Sequence, residues 1–205
     1  MMLSLLFAAI TGFSHAFEAD HLLAVSSIVT RRQSLALAVK DGIAWGLGHT
    51  STIFAIGALI IVARVAIPES AFSYLEGCVG LMLIGLGAYR LLRVLRQRGG
   101  AAHAHPHEQG HGLAYGVGLV HGLAGSGSLV LLVMSQIPGQ GAALGYLLVF
   151  GIGSVAGMLL ASGVFSLPLS QSVASRYSLR LLLTLLSSLL CIGFGLQVAY
   201  EHLIA

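Results

Sequence analysis

The chain has 205 residues, 57% of them hydrophobic and 8% charged, with a mean hydropathy of +0.93. Soluble domains carry roughly 25% charged residues, so the composition excludes a soluble globular domain and specifies an integral membrane protein. The formal net charge of +3 matters less than its placement, because the basic residues gather between apolar segments; no nucleic-acid partner is expected.

Hydropathy predicts an all-α polytopic membrane protein with six transmembrane helices at 2–29, 41–66, 72–95, 113–136, 139–166 and 179–203. Each is near or above the ~20 residues that a span needs. Period-two alternation is absent, which argues against a β-barrel. Met1–Phe13 is apolar but has neither a basic leader nor a cleavage pattern, so it reads as the first half of a mature helix.

The first helix carries the chain's most informative stretch, His15-Ala16-Phe17-Glu18-Ala19-Asp20-His21. One acid at the centre of a membrane helix costs about 2.5–3.5 kcal/mol on insertion scales. Two carboxylates and two imidazoles there must face a protein interior and bind something. At about 100° per residue, His15, Glu18 and His21 share one arc and Asp20 points elsewhere. The helix is therefore expected to distort near Gly12, or Asp20 to orient an imidazole or meet a neighbouring helix.

The second helix offers Gly48-His49-Thr50-Ser51, and the third is followed by Arg90, Arg93, Arg96 and Arg98, of which Arg90, Arg93 and Arg96 read as topology anchors near the headgroups. Residues 96–112 form a hydrophilic loop with His103, His105, His107 and His111, a composition that binds metal weakly. The fourth helix contributes His121. Cys78 and Cys191 sit in separate segments without a CxxC and read as small buried apolar residues.

Arg31, Arg32 and Lys40 follow helix 1, the arginine group follows helix 3, and Arg176 and Arg180 follow helix 5; the opposite connections offer only Arg64, near Glu69. Positive-inside counting places loops 1, 3 and 5 in the cytoplasm and both termini outside. The halves also match: Gly12-Phe13-Ser14-His15 with Gly118-Leu119-Val120-His121, Trp45-Gly46-Leu47-Gly48-His49 with Phe150-Gly151-Ile152-Gly153-Ser154, and Ile84-Gly85-Leu86-Gly87 with Ile192-Gly193-Phe194-Gly195. Three spans per copy make this a 3+3 inverted repeat, residues 1–95 and 113–205 around the 96–112 loop, with a substrate site expected at the repeat interface.

Imidazole with carboxylate or hydroxyl suits late divalent metals such as Ni(II), Co(II) or Zn(II), and the absence of thiolates or a Met stripe disfavours Cu(I). The expected ligands are His15, Asp20, His21, His49 and His121, with Glu18 less certain and the loop histidines auxiliary. His-x4-Asp-His followed one helix later by Gly-His-Thr-Ser resembles the nickel/cobalt transporter (NiCoT) family, closest to its short six-helix urease-accessory or nickel-permease members. The resemblance implies a bacterial inner-membrane permease for Ni(II), or Co(II), with His15, Asp20, His21 and His49 at the transport site. Its coverage is better in the first half. His121-Gly122-Leu123-Ala124-Gly125-Ser126 stands where full-length members carry an Asp-Thr-Ala-Thr-Glu type motif, and their extra N-terminal helix is missing.

With no GxxxxGK[ST] loop, the chain reads as a permease and not an enzyme. It has no cofactor, and the metal ion is its substrate. Uptake would be driven by membrane potential or coupled protons, and would weaken as pH falls because ligation needs neutral imidazole. The rivals are proton-coupled nickel/cobalt efflux, a small-solute exporter, and a thiol electron carrier using the two cysteines. A soluble metallochaperone and a homo-oligomer are the partners considered.

Overall fold

The computed structural model describes residues 2–29, 34–64, 68–98, 110–137, 139–167 and 177–205. Among them lie seven helices: α1 (Met2–His15), α2 (Ala19–Val29), α3 (Leu35–Ala63), α4 (Glu69–Arg98), α5 (Gly112–Gln136), α6 (Gln140–Ser166) and α7 (Tyr177–Leu203). The protein is all-helical. By length and apolarity α3, α4, α6 and α7 suffice to cross a membrane, and α1 with α2 qualifies as one bent span. α5 runs 25 residues, Gly112–Gln136, and Gly112–Gly125 within it is an apolar stretch. Exposed leucines, isoleucines and phenylalanines such as Leu6, Phe7, Leu59, Leu148, Leu186 and Leu189 cover the outer faces, as expected where lipid is the solvent.

The predicted first helix is two helices, meeting at 56° across residues 16–18. The expected distortion is therefore real, but it falls inside the polar motif and not at Gly12. Tight turns cross it, Phe17 N donating to Ser14 O and Glu18 N to His15 O. Tertiary packing accounts for the bend. α1 lies along α6, while α2 also reaches α7 and α4, and no straight helix serves all three partners.

α3 begins at Leu35, capped by Ser34 Oγ accepting from Leu37 N at 3.3 Å, which brings Lys40 into the helix. It ends at Arg64, whose backbone lies in the left-handed region, φ 52°, a common helix stop. Because α4 runs on to Arg98, Arg90 lies well within it and is buried, its Nη1 donating to Ser26 O of α2 at 3.0 Å. It ties two helices together instead of anchoring to headgroups, whereas Arg93 and Arg96 are exposed. The cysteines also divide: Cys191 is buried and donates to Leu83 O, but Cys78 is exposed.

α3 and α6 form the central pair, α5 packs on α3, α1 on α6, and α4 on α7. Glycines set these seams. A Cβ on Gly12 would meet the Phe150 carbonyl, and one on Gly118 the Trp45 carbonyl. Gly153 faces Ala9 O and Phe13 N as Gly48 faces Tyr115 O and Leu119 N. On the other seam a Cβ on Gly87 would come within 2.8 Å of Ser188 O, and one on Gly195 within 2.7 Å of Gly80 O. Backbones in such contact leave no room for a side chain, the usual device for helix association in lipid.

Candidate metal site

Two apolar clusters fill the interior, one including Val25, Trp45, Leu83 and Met158, the other Ile53, Tyr146, Leu147 and Phe150. Between them stand four imidazoles. His21 is the hub: its ring centroid lies 4.5 Å from that of His15, 5.2 Å from His49 and 4.8 Å from His121. Trp45 borders the group on one side, 5.4 Å from His21, and Phe150 on the other, 5.6 Å from His15.

Local structure presents each ring. His15 ends α1 and His21 lies in the first turn of α2, so the bend turns both toward one centre. The close approach of Gly118 to Trp45 O, and of Gly122 to His49 O, draws α5 onto α3 and brings His121 beside His21.

Three of the rings are held by the same nitrogen. His15 Nδ1 lies 2.8 Å from Glu18 Oε1, His21 Nδ1 3.0 Å from Asp20 Oδ1, and His121 Nδ1 3.3 Å from Val117 O. A neutral ring donating from Nδ1 keeps its metal-binding lone pair on Nε2. The Nε2 atoms of His15, His21 and His121, and both nitrogens of His49, are buried without a hydrogen-bond partner among the described residues. Buried polar atoms are nearly always paired, so these unpaired nitrogens, with one lone pair free on each neutral ring, form a donor set suited to an electrophile.

Donor atoms of His15, His21 and His49 lie within 4.8 Å of one another, as do those of Asp20, His21 and His121. A late metal binds imidazole nitrogen at roughly 2.0–2.1 Å, which brings donors somewhat closer than this; small side-chain rotations close the gap. The two three-residue groups share His21. Asp20 plays both roles weighed from its helical position. Its Oδ1 orients His21, and its Oδ2 lies 3.8 Å from His121 Nε2. A cavity of about 730 Å³ opens onto the group, lined by His15, Glu18, Asp20, His21 and His121 among others.

The urease accessory protein UreH of Bacillus sp. (strain TB-90) is 34% identical to this chain over 178 residues, covering 80% of this chain and 76% of the relative. The chain belongs to the UreH family. No protein-family model and no solved structure matches it. The relative's name is that of an accessory protein and not of an enzyme.

In this UreH-family chain the structure brings together His15, Asp20, His21, His49 and His121, with Glu18 exposed at the rim. The hydroxyls beside His49 face elsewhere: Thr50 Oγ1 donates to Gly151 O and Ser51 Oγ to Gly48 O. Of the auxiliary loop, His103, His105 and His107 lie outside the described residues. His111 Nδ1 is 2.7 Å from Oδ1 of the buried Asp41. Sequence reasoning missed Asp41, Trp45, Glu76 and His202. Glu76 was within reach, since an acid inside the predicted 72–95 span incurs the same insertion cost as Asp20.

Proposed function

We propose that this chain is a multi-pass permease of the bacterial inner membrane that carries a late divalent transition-metal ion, nickel foremost and cobalt next, into the cytoplasm. The observation that carries the reading is the convergence of unpaired, buried imidazole nitrogens from α1, α2, α3 and α5. Such a donor set favours late divalent metals over Mg(II) or Ca(II), which prefer oxygen. The resemblance to short nickel permeases and the kinship to a urease accessory protein support nickel within that class.

The reading includes six spans in a 3+3 inverted repeat, with α1 and α2 as one broken span, residues 96–112 as a cytoplasmic loop, and both termini outside. The paired glycine contacts support it, because exchanging the halves maps Gly12–Phe150 onto Gly118–Trp45 and Gly153–Ala9 onto Gly48–Tyr115. A broken helix beside the substrate is a recurrent feature of inverted-repeat transporters, the carbonyl end of the half-helix favouring a cation. Here that end is the C-terminus of α1, at His15. His103, His105 and His107 would then meet the ion on the cytoplasmic side, where a metallochaperone would collect it.

Inward movement of a divalent ion gains about 4.6 kcal/mol per 100 mV, enough for roughly thousandfold accumulation. The test is uptake of Ni(II), Co(II) and Zn(II) into proteoliposomes at interior-negative potential, with His21→Ala as control. Potential-driven Ni(II) uptake that the variant loses is the expected result. Movement only under an imposed proton gradient would reassign the protein to efflux, and no movement at all would sink the reading. Uptake should also weaken once the pH falls far enough for protons to compete for the imidazoles.

A further inference from the structure

The same cavity has a second polar group that the buried site does not use. Glu76 of α4 and His202 of α7 both line it, with His202 Nδ1 3.1 Å from Glu76 Oε2. Ser73 Oγ lies 3.3 Å from that Nδ1 and donates to the His202 carbonyl at 3.3 Å. These side chains are about one-third exposed, His202 30% and Glu76 37%, whereas His49 and His121 are fully enclosed. Tight packing fixes the group in place. Gly77 lies against the Leu203 side chain, and Gly80 and Gly195 meet backbone to backbone one turn further along.

The geometry points to a second divalent-cation station at the mouth of this cavity, formed by Glu76 and His202, that captures a still-hydrated ion before the buried histidines take it. Three observations meet here. A pair held through Nδ1 leaves the Nε2 of a neutral His202 as its metal-binding atom, the polarity also seen at His15 and His21. The cavity has room for roughly twenty waters at ~30 Å³ each, so an ion reaches this level with its hydration shell, and partly wet donors suit it. Finally, Glu76, Glu18 and Asp20 line one recess with no Lys or Arg among the lining residues, a field that concentrates cations. The station and the histidine site line one cavity, which gives the ion a continuous route between them.

This inference rests on the proposed metal permease. The test is calorimetric titration of the purified full-length chain with Ni(II) alone, paired with proteoliposome uptake, for wild type, Glu76→Gln/His202→Gln and His21→Ala. Two classes of Ni(II) binding are expected in the wild type. The Glu76/His202 variant should lose the weaker class and keep the tighter one, which also reports that it is folded. Its half-saturating Ni(II) concentration for uptake should rise about tenfold with little change in maximal rate. The His21 variant should keep the weaker class and lose transport at every concentration.

Unchanged binding and half-saturation in Glu76→Gln/His202→Gln, with His21→Ala inactive, would overturn the station and leave the permease standing. Loss of both classes in the double variant would overturn it too, assigning the pair a structural role. A wild type that binds no Ni(II) would overturn both.

Discussion

Gly12 seats against the Phe150 carbonyl and Gly118 against the Trp45 carbonyl; Gly153 and Gly48 make the reciprocal contacts. Yet where α3 carries His49, with two unpaired nitrogens, the matching position of α6 carries Ser154, whose hydroxyl donates to Gly12 O at 3.1 Å. His15 in the first half has a counterpart in His121, but Asp20 and His21 are matched by Ser126 and Gly127. The four matched glycines face backbone atoms, so these contacts place little demand on neighbouring side chains. Packing can then be shared by both halves while the ligands come mainly from one, and the two functions are open to separate mutation.

Breaking the seams should have the largest effect. Leucine at Gly12, Gly48, Gly118 or Gly153 would drive a side chain into facing backbone, and each should cost at least the upper end of the roughly 1–3 kcal/mol of overpacking. Loss of the monodisperse peak in detergent size-exclusion chromatography is the expected outcome. It should be alike for the matched pairs Gly12/Gly118 and Gly48/Gly153, whereas leucine at Gly85 or Gly193, with nothing within 4 Å, should be tolerated. A clear difference within a matched pair would break the comparison.

Removing ligands should separate chemistry from packing. His49→Gln deletes a ring that makes no hydrogen bond, so Ni(II) affinity should fall at least about a hundredfold with little change in the apo melting temperature. Asp20→Asn keeps the shape but weakens its hold on His21 and the charge near His121; a loss of roughly 10–100-fold in affinity is expected. Titration calorimetry beside thermal unfolding reads both. An apo protein destabilised as much as the glycine variants would show that these side chains belong to the scaffold after all.

The apolar segments made the helices legible, with ends that moved by a few residues. The position of the bend was not, because Ala16-Phe17-Glu18 contains no proline or glycine and the break follows from α1 and α2 having different partners. Insertion cost singled out His15, Asp20 and His21, which the structure gathers around one centre, and applied to Glu76 it leads to the cavity mouth. Hydroxyls were less readable: a Ser or Thr in a helix readily donates to a nearby carbonyl, as Ser51 and Thr52 do to Gly48 O. Arg90 misled through its position near a predicted helix end, before the further turn of α4 was visible.

The smallest effect should come from Ser154. Its hydrogen bond to Gly12 O joins α6 to α1 at a seam already held by glycine contact, so Ser154→Ala should cost only about 1 kcal/mol and leave Ni(II) binding unchanged. The contrast with His49 at the matching position then becomes quantitative, with affinity lost but stability kept on α3 and the reverse on α6. A Ser154→Ala variant with weakened Ni(II) binding would mean that the α1–α6 seam positions His15 for the metal. In that case packing and chemistry in the two halves are coupled through Gly12, and the division drawn between them fails at that point.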